Sequence, residues 1–171
     1  MKLEQIFSVS LIYASIRSAT PIIYAALCAA ITQQADILNI GTEGIMLTGA
    51  FAAVAVSYFS GSWLMGILAA MMAGFVISGI MAVGHIKYKA DICAIGMGIN
   101  LFALAITKFM LNVIFDTSGT FTDPDVKAIP RVDIPFIKNI PILKDIFNDW
   151  AVTQWFMIVL ILILTFLLYS T

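Results

Sequence analysis

The polar residues at positions 33–44 are the ones whose types and spacing best suit binding chemistry. The segment reads QQADILNIGTEG and combines amide and carboxylate side chains with two glycines, without a lysine or arginine. Asn39 and Glu43 supply hydrogen-bonding groups for a polar solute, and Gly41 and Gly44 permit irregular backbone. A plain solvated loop explains this composition. A broken or re-entrant helix that lines a wet cavity explains it too, since irregular backbone is tolerated there.

A second flexible and polar interruption lies at positions 96–100, which read GMGIN. Gly96 and Gly98 weaken a helix, and the amide of Asn100 both donates and accepts hydrogen bonds. Asn100 is suited to joining two helices, which we favour, or to contacting a bound solute. The two glycines are candidates for structural or gating positions.

A charged residue and a proline interrupt the first apolar run. Arg17 precedes Pro21 by four residues. If the membrane span begins near Ala19, Arg17 lies at the membrane interface; the alternative is a buried partner for Glu43 or Asp36. Pro21 fits the first turn of the span, where its missing N–H costs nothing. Both residues are therefore structural or gating candidates.

The amino-acid composition indicates what kind of protein must hold these candidate residues in place. Of 171 residues, 61% are hydrophobic and 11% are charged, whereas soluble domains are about 45–50% apolar and about 25% charged. A globule of this size has too little interior to bury so much apolar surface, so a soluble enzyme and a disordered chain are both excluded. The formal net charge of −1 gives no basic surface for nucleic acid.

The apolar residues fall into five runs that are long enough to cross a bilayer, which takes about 20 residues each. The predicted spans are residues 6–31, 43–60, 63–84, 92–110 and 150–169. The runs are continuous and lack the alternation of barrel strands. We therefore predict an all-α, polytopic transmembrane helix bundle that forms a single domain over residues 1–171, with the broken or re-entrant segment near residues 33–44.

The third span carries small residues at a spacing of four. Gly66, Ala70, Gly74 and Ser78 lie on one helix face, where small side chains let helix backbones approach closely. We interpret this face as a helix-packing surface, and a substrate path is the alternative.

The basic residues predict the orientation. The densest basic patch is the short linker that contains His85, Lys87 and Lys89, which the positive-inside rule places in the cytoplasm. The linker 111–149, which holds four of the five prolines, then lies outside the cell as an extracellular loop.

Four blocks of sequence resemble one family. They are RSATP at 17–21, NIGTEGIMLTGAF at 39–51, KADI at 89–92 followed by GMGINL at 96–101, and IPIL at 140–143. In these blocks the chain resembles permease subunits of bacterial ABC importers for nucleosides and simple sugars, which are related to ribose and branched-chain amino-acid permeases. The resemblance covers essentially the whole chain, and NIGTEG is its most specific part.

The resemblance implies a permease subunit that moves nucleosides or simple sugars across the bacterial cytoplasmic membrane. It implies as partners the ABC ATPase subunits, a second permease subunit, a substrate-binding lipoprotein and the lipid membrane. Family members are roughly twice as long, as expected of transporters built from paired halves, so we interpret the chain as an N-terminal part. On this basis Asn39, Glu43 and Asn100 are the candidates for the substrate pathway.

The chain has no G-x-x-x-x-G-K-[ST] phosphate-binding motif, so we expect ATP hydrolysis in a separate subunit and no enzyme activity here. No catalytic residue, metal site or cofactor is predicted, since Cys28 and Cys93 lie in apolar runs without metal-ligand spacing. The main alternative function is a secondary carrier or channel that needs no ATPase. A membrane scaffold without a substrate is a third.

Overall fold

Five long helices dominate the fold. The computed structural model describes residues 9–117, 119, 121, 126–127, 129–132 and 150–170. Its elements are α1 (Val9–Gln33), α2 (Thr42–Ser60), α3 (Trp63–Ile86), α4 (Ile92–Phe115), β1 (Arg131–Val132), β2 (Trp150–Ala151) and α5 (Val152–Ser170). All five helices are long and apolar enough to cross a membrane, which confirms the predicted all-α bundle of five spans.

Large apolar side chains cover the outer surfaces of these helices. Phe75 on α3 is 74% exposed, and Phe166 on α5 is 72% exposed. Apolar patches this extensive are not left facing water in a soluble monomer. The fold therefore requires lipid or other apolar surfaces around it.

Residues 28–128 form one compact unit, in which α2 packs against both α3 and α4. Its most buried side chains come from all three helices and include two hydroxyl residues. They are Ser57, Met81, Ile99, Ala103 and Thr107. Thr107 satisfies its own hydroxyl by donating to the carbonyl of Ala103 at 2.6 Å. A polar group can be buried here because its hydrogen bond stays within the helix.

The connections within this unit are short and well capped. Gly61 ends α2 with φ of 62°, a left-handed conformation that suits glycine, and its N–H donates to the carbonyl of Ser57. Asp91 begins α4, and its side chain accepts a hydrogen bond of 2.9 Å from the N–H of Ala94. Both residues lie at the boundaries between predicted spans, so local sequence fixes these helix ends.

Residues 1–27 and 129–171 form the other compact unit. The hydroxyl of Tyr24 donates to the carbonyl of Thr153 at 2.7 Å, which joins α1 to the first turn of α5. Residues 131–132 pair with residues 150–151 in an antiparallel pair, in which Val132 lies opposite Trp150. The Gln154 side chain accepts from the N–H of Ala151 at 2.8 Å, as in a capping box at the start of α5.

The structure changes two boundary expectations. Pro21 lies inside α1, which begins at Val9, so the expectation of a first-turn proline is wrong. Its missing N–H leaves the carbonyl of Arg17 without a helical partner, which long membrane helices tolerate. The linker expected over residues 111–149 is also shorter, because α4 continues to Phe115. Residues 133–149 of that predicted extracellular loop lie outside the described residues.

Candidate functional site

The helical interruption lies where the sequence predicted it. Helix α1 ends at Gln33 and α2 begins at Thr42, and residues 34–41 are not helical. The turn after α1 includes Asp36, whose φ is 55°. The N–H of Ile37 donates back to the carbonyl of Thr32 at 3.1 Å and closes this turn. The candidate residues Asn39, Gly41, Glu43 and Gly44 follow directly.

Asn100 on α4 holds this segment through both ends of its amide. Its Oδ1 accepts a hydrogen bond of 2.7 Å from the N–H of Gly44. Its Nδ2 donates a hydrogen bond of 3.0 Å to the carbonyl of Ile40. The side chain thus binds the irregular backbone on one side and the first turn of α2 on the other. This geometry matches the helix-joining role that the sequence favoured for Asn100.

The hydrogen bond to Gly44 acts as a helix cap that is supplied by another helix. Gly41 is the N-cap residue of α2 and has no side chain to accept from the first free N–H groups. Gly44 is the third residue after it, and an N-cap side chain normally serves the second or third N–H. Asn100 provides that acceptor from α4, so the start of α2 is stabilised only while α4 lies against it.

The junction between this segment and α4 leaves no space for side chains at two of the candidate glycines. A Cβ atom on Gly96 would lie 2.8 Å from the backbone nitrogen of Gly41 and 3.2 Å from the Cβ of Ile40. A Cβ atom on Gly44 would lie 2.9 Å from Oδ1 of Asn100. Glycine is needed at both positions because backbone approaches backbone there. We call residues 39–44 together with Gly96 and Asn100 the polar junction.

Asn39 and Glu43 lie in the polar junction but make fewer contacts. Oδ1 of Asn39 is buried and has no hydrogen-bond partner among the described residues. The backbone carbonyl of Asn39 accepts from the hydroxyl of Thr42 at 2.9 Å, which fixes the approach to α2. Glu43 is exposed in the first turn of α2, where the helix dipole favours a carboxylate. The structure therefore brings all three substrate-pathway candidates into one neighbourhood.

The remaining candidates lie elsewhere. No atom comes within 4 Å of a Cβ placed on Gly98, which faces open space on α4. Arg17 and Pro21 are both exposed on α1. A gating role for these three residues stays a prediction, as does a pairing of Arg17 with Glu43 or Asp36.

The small residues of α3 lie against α2. A Cβ atom on Gly66 would lie 2.8 Å from the carbonyl oxygen of Ala53, and one on Gly74 would lie 3.6 Å from Cγ2 of Ile45. Ala70 lies close to Gly49, whose Cβ would be 3.5 Å from the Ala70 carbonyl oxygen. Ser78 is exposed. The close approach of α2 and α3 is therefore concentrated along the first half of α3.

An aromatic cluster at the far ends of α2 and α4 is a feature that sequence reasoning missed. The rings of Phe115 and Phe121 lie 4.0 Å apart, and Tyr58 lies edge-on to both. The hydroxyl of Ser57 donates to the carbonyl of Lys127 at 3.3 Å and ties the following chain to α2. The sequence feature that could have indicated this cluster is the pair Tyr58-Phe59 at the end of a predicted span, since aromatic residues favour membrane interfaces.

The chemistry of the polar junction is hydrogen bonding. Among residues 9–117 and the shorter described stretches that follow, no three metal-ligating side chains come together. The available groups are amide, carboxylate and backbone, which bind neutral polar molecules through directed hydrogen bonds. This is the chemistry expected of a binding or translocation surface.

Comparison with known proteins identifies the family. The family of branched-chain amino acid transport system permease components matches residues 11–171. The chain belongs to this family. Its helices and this membership together make it a multi-pass protein of the plasma membrane.

Two relatives of this permease chain are nucleoside transporter subunits by name. The chain is 34% identical over 179 residues to the guanosine ABC transporter permease protein NupQ of Bacillus subtilis, covering 100% of this chain and 55% of that protein. It is 28% identical over 161 residues to the nucleoside ABC transporter permease protein NupC of Lactococcus lactis, covering 90% of this chain and 50% of that protein. The chain thus spans about half the length of these relatives. No solved structure gives a significant match.

Proposed function

We propose that this chain forms part of the membrane pathway of an ATP-driven importer of nucleosides. The observation that carries the proposal is the 34% identity to a guanosine permease, which extends over the whole chain. ATP hydrolysis takes place in separate ABC ATPase subunits, which contact the cytoplasmic turns. A second permease subunit completes the membrane pathway. A substrate-binding lipoprotein delivers the nucleoside to the extracellular segment that follows α4.

The polar junction supports a division of roles among the three candidate residues. Asn100 uses its donor and its acceptor on the backbone of residues 40 and 44, so it positions the segment. Two acceptors of the other candidates are not used by any hydrogen bond described for these residues: Oδ1 of Asn39, which is buried, and the carboxylate of Glu43, which is exposed. Acceptors recognise donors, and a nucleoside offers sugar hydroxyls and base N–H groups. A phosphorylated substrate is disfavoured by the carboxylate.

The test is uptake of labelled guanosine by the complete importer that carries Glu43→Gln. This variant keeps the size of the side chain and removes its charge. We expect the KM for uptake to rise about tenfold, which corresponds to one hydrogen bond to a charged group, while the maximal rate changes little. Asp116→Asn is the matched control, since Asp116 is an exposed carboxylate at the end of α4.

Unchanged uptake kinetics in both Glu43→Gln and Glu43→Ala, at normal expression, would remove Glu43 from the substrate pathway. The secondary-carrier alternative has its own test. It requires guanosine uptake to continue when the partner ATPase is inactivated, whereas the importer loses uptake completely.

A further inference from the structure

The turn between α3 and α4 is a rigid, positively charged structure. Nδ1 of His85 lies 3.0 Å from the carbonyl oxygen of Ala90, which can only accept, so this nitrogen carries the proton. The N–H of Ala90 donates to the carbonyl of Gly84 at 3.2 Å. These two bonds close the turn around Lys89, whose φ is 52°. His85 therefore contributes to the shape of the turn.

Two exposed lysines supply the positive charge of this turn. Lys87 and Lys89 are both exposed, and Nζ of Lys87 lies 5.9 Å from the centre of the Tyr88 ring. The nearby carboxylate of Asp91 accepts from the N–H of Ala94 and so is engaged at the start of α4. The turn between α2 and α3, formed by Gly61 and Ser62, carries no charge. The charge is confined to one end of α3.

An apolar groove begins at this charged turn. It runs along the exposed face of α3 from Tyr88 to Phe75, is shallow and open, and has a volume of about 560 Å³. Gly79 lines it, and no atom comes within 4 Å of a Cβ placed on this residue. The helix between residues 75 and 84 is about 14 Å long. That length is close to one leaflet of a hydrocarbon core of about 30 Å.

We propose that this groove and turn bind an anionic phospholipid, with the phosphate at Lys87 and Lys89 and an acyl chain along α3 as far as Phe75. Charge complementarity selects an anionic headgroup, since the two exposed lysines of the turn flank Tyr88, which lines the groove. The length of the groove selects an acyl chain, because a partner helix would follow α3 through both leaflets. The Tyr88 ring lies between the two parts, at the depth where aromatic residues meet headgroups.

The experiment places a fluorescent probe inside the proposed site. Tyr88→Trp keeps an aromatic ring under Lys87, and its emission is obtained after subtracting that of the parent chain. The full chain is reconstituted into vesicles in which brominated phosphatidylglycerol, or brominated phosphatidylcholine, replaces part of a phosphatidylcholine background. We expect brominated phosphatidylglycerol to quench the probe at a lower mole fraction than brominated phosphatidylcholine does.

Removing the charges tests the headgroup site. Lys87→Gln and Lys89→Gln should each reduce the preference for phosphatidylglycerol about fivefold, the effect of one basic residue near an anionic surface. Lys108→Gln makes the same charge change at an exposed position far along α4 and should leave the preference intact. Equal quenching by the two lipids, or a preference that survives the double lysine substitution, would overturn the proposal.

Filling the groove tests the acyl-chain site. Gly79→Leu should weaken quenching by both lipids, since the leucine side chain occupies the open groove. Ala82→Leu, at an exposed position of α3 outside the groove, should not. If neither lipid quenches the probe in the parent groove, then protein covers it, from a second copy or another subunit, and the lipid proposal is wrong. Equal helicity by circular dichroism shows that each variant is folded.

Discussion

Helix α2 makes two contacts of different physical kinds within residues 28–128. Against α3 it presents Gly49 and Ala53, and the small face of α3 packs on them without a side-chain hydrogen bond between the two helices among the bonds described above. Against α4 its first turn is held by the Asn100 amide, which also binds the irregular backbone at Ile40. The contact between α2 and α3 joins two regular helices. The contact with α4 also holds the non-helical residues that precede α2.

The difference follows from what each contact must satisfy. A regular helix already bonds its own backbone, so in lipid it needs only close van der Waals packing with its neighbour. The backbone at residues 34–41 forms a few turn hydrogen bonds but lacks the regular pairing of a helix, and unsatisfied N–H and carbonyl groups are costly where water is scarce. The Asn100 amide satisfies two such backbone groups, the carbonyl of Ile40 and the N–H of Gly44. A contact of this second kind is suited to a segment that also faces a polar substrate.

The largest expected effect is on the α2–α3 contact. Gly66→Leu would force a bulky side chain where a Cβ atom alone meets the Ala53 carbonyl oxygen at 2.8 Å. We expect a loss of about 3 kcal/mol in the free energy of unfolding, measured by denaturant titration in detergent micelles. Gly79→Leu makes the same change on the open side of α3 and should unfold at or above the parent denaturant concentration, since leucine favours a helix over glycine. Equal midpoints for both variants would contradict the close packing of α2 on α3.

The next effect is on the hydrogen bonds of the polar junction. Asn100→Ala leaves the N–H of Gly44 and the carbonyl of Ile40 without this partner, and we expect a loss of about 2 kcal/mol in unfolding free energy. Asn100→Asp keeps the acceptor for Gly44 and removes the donor, so about half of that loss should remain. Lys108→Ala, at an exposed position of the same helix, should stay within about 0.5 kcal/mol of the parent.

The measurement that distinguishes these Asn100 variants is hydrogen exchange at the amide of Gly44. Exchange should accelerate in Asn100→Ala and stay slow in Asn100→Asp, since only the aspartate still accepts from that N–H. If the alanine variant leaves the exchange rate unchanged, Asn100 does not cap α2.

The smallest effect is on the glycine spacing of α4. Gly96→Ala adds a Cβ atom 2.8 Å from the backbone nitrogen of Gly41, whereas Gly98→Ala adds one in open space. Alanine favours a helix over glycine by about 1 kcal/mol, which offsets part of the cost at Gly96. We therefore expect Gly96→Ala to lower the free energy of unfolding in micelles by about 1 kcal/mol, measured as a lower thermal midpoint. Gly98→Ala should raise that midpoint. A rise in both would show that the junction is not closely packed at Gly96.

The sequence predicted the helices well because composition and run length decide them. A span needs only enough consecutive apolar residues, and the helix ends at Gly61 and Asp91 use residues with strong local preferences. The same local reasoning misjudged Pro21. A proline ends a helix in water, but the apolar residues on both sides of it keep α1 helical in a medium without competing water.

The candidate site was predictable only in part. The sequence identified Asn39, Glu43 and Asn100 as candidates for the substrate pathway, because polar groups in or between membrane spans are costly without a partner or a role. It could not reveal that both ends of the Asn100 amide bind the backbone near α2. It also gave Gly96 and Gly98 the same significance, although only Gly96 faces the polar junction.

What the amino-acid sequence determined by itself is the membrane environment, the number of spans and the place where the helical pattern breaks, since each depends on residues that are neighbours in the chain. Only the tertiary structure decided which side chains form hydrogen bonds to the backbone where the helical pattern breaks. Asn100 lies about 60 residues from Ile40 along the chain, and only the packing of α4 against the start of α2 brings their hydrogen-bonding groups together. Directed hydrogen bonds depend on distance and angle, and no one-dimensional pattern specifies either.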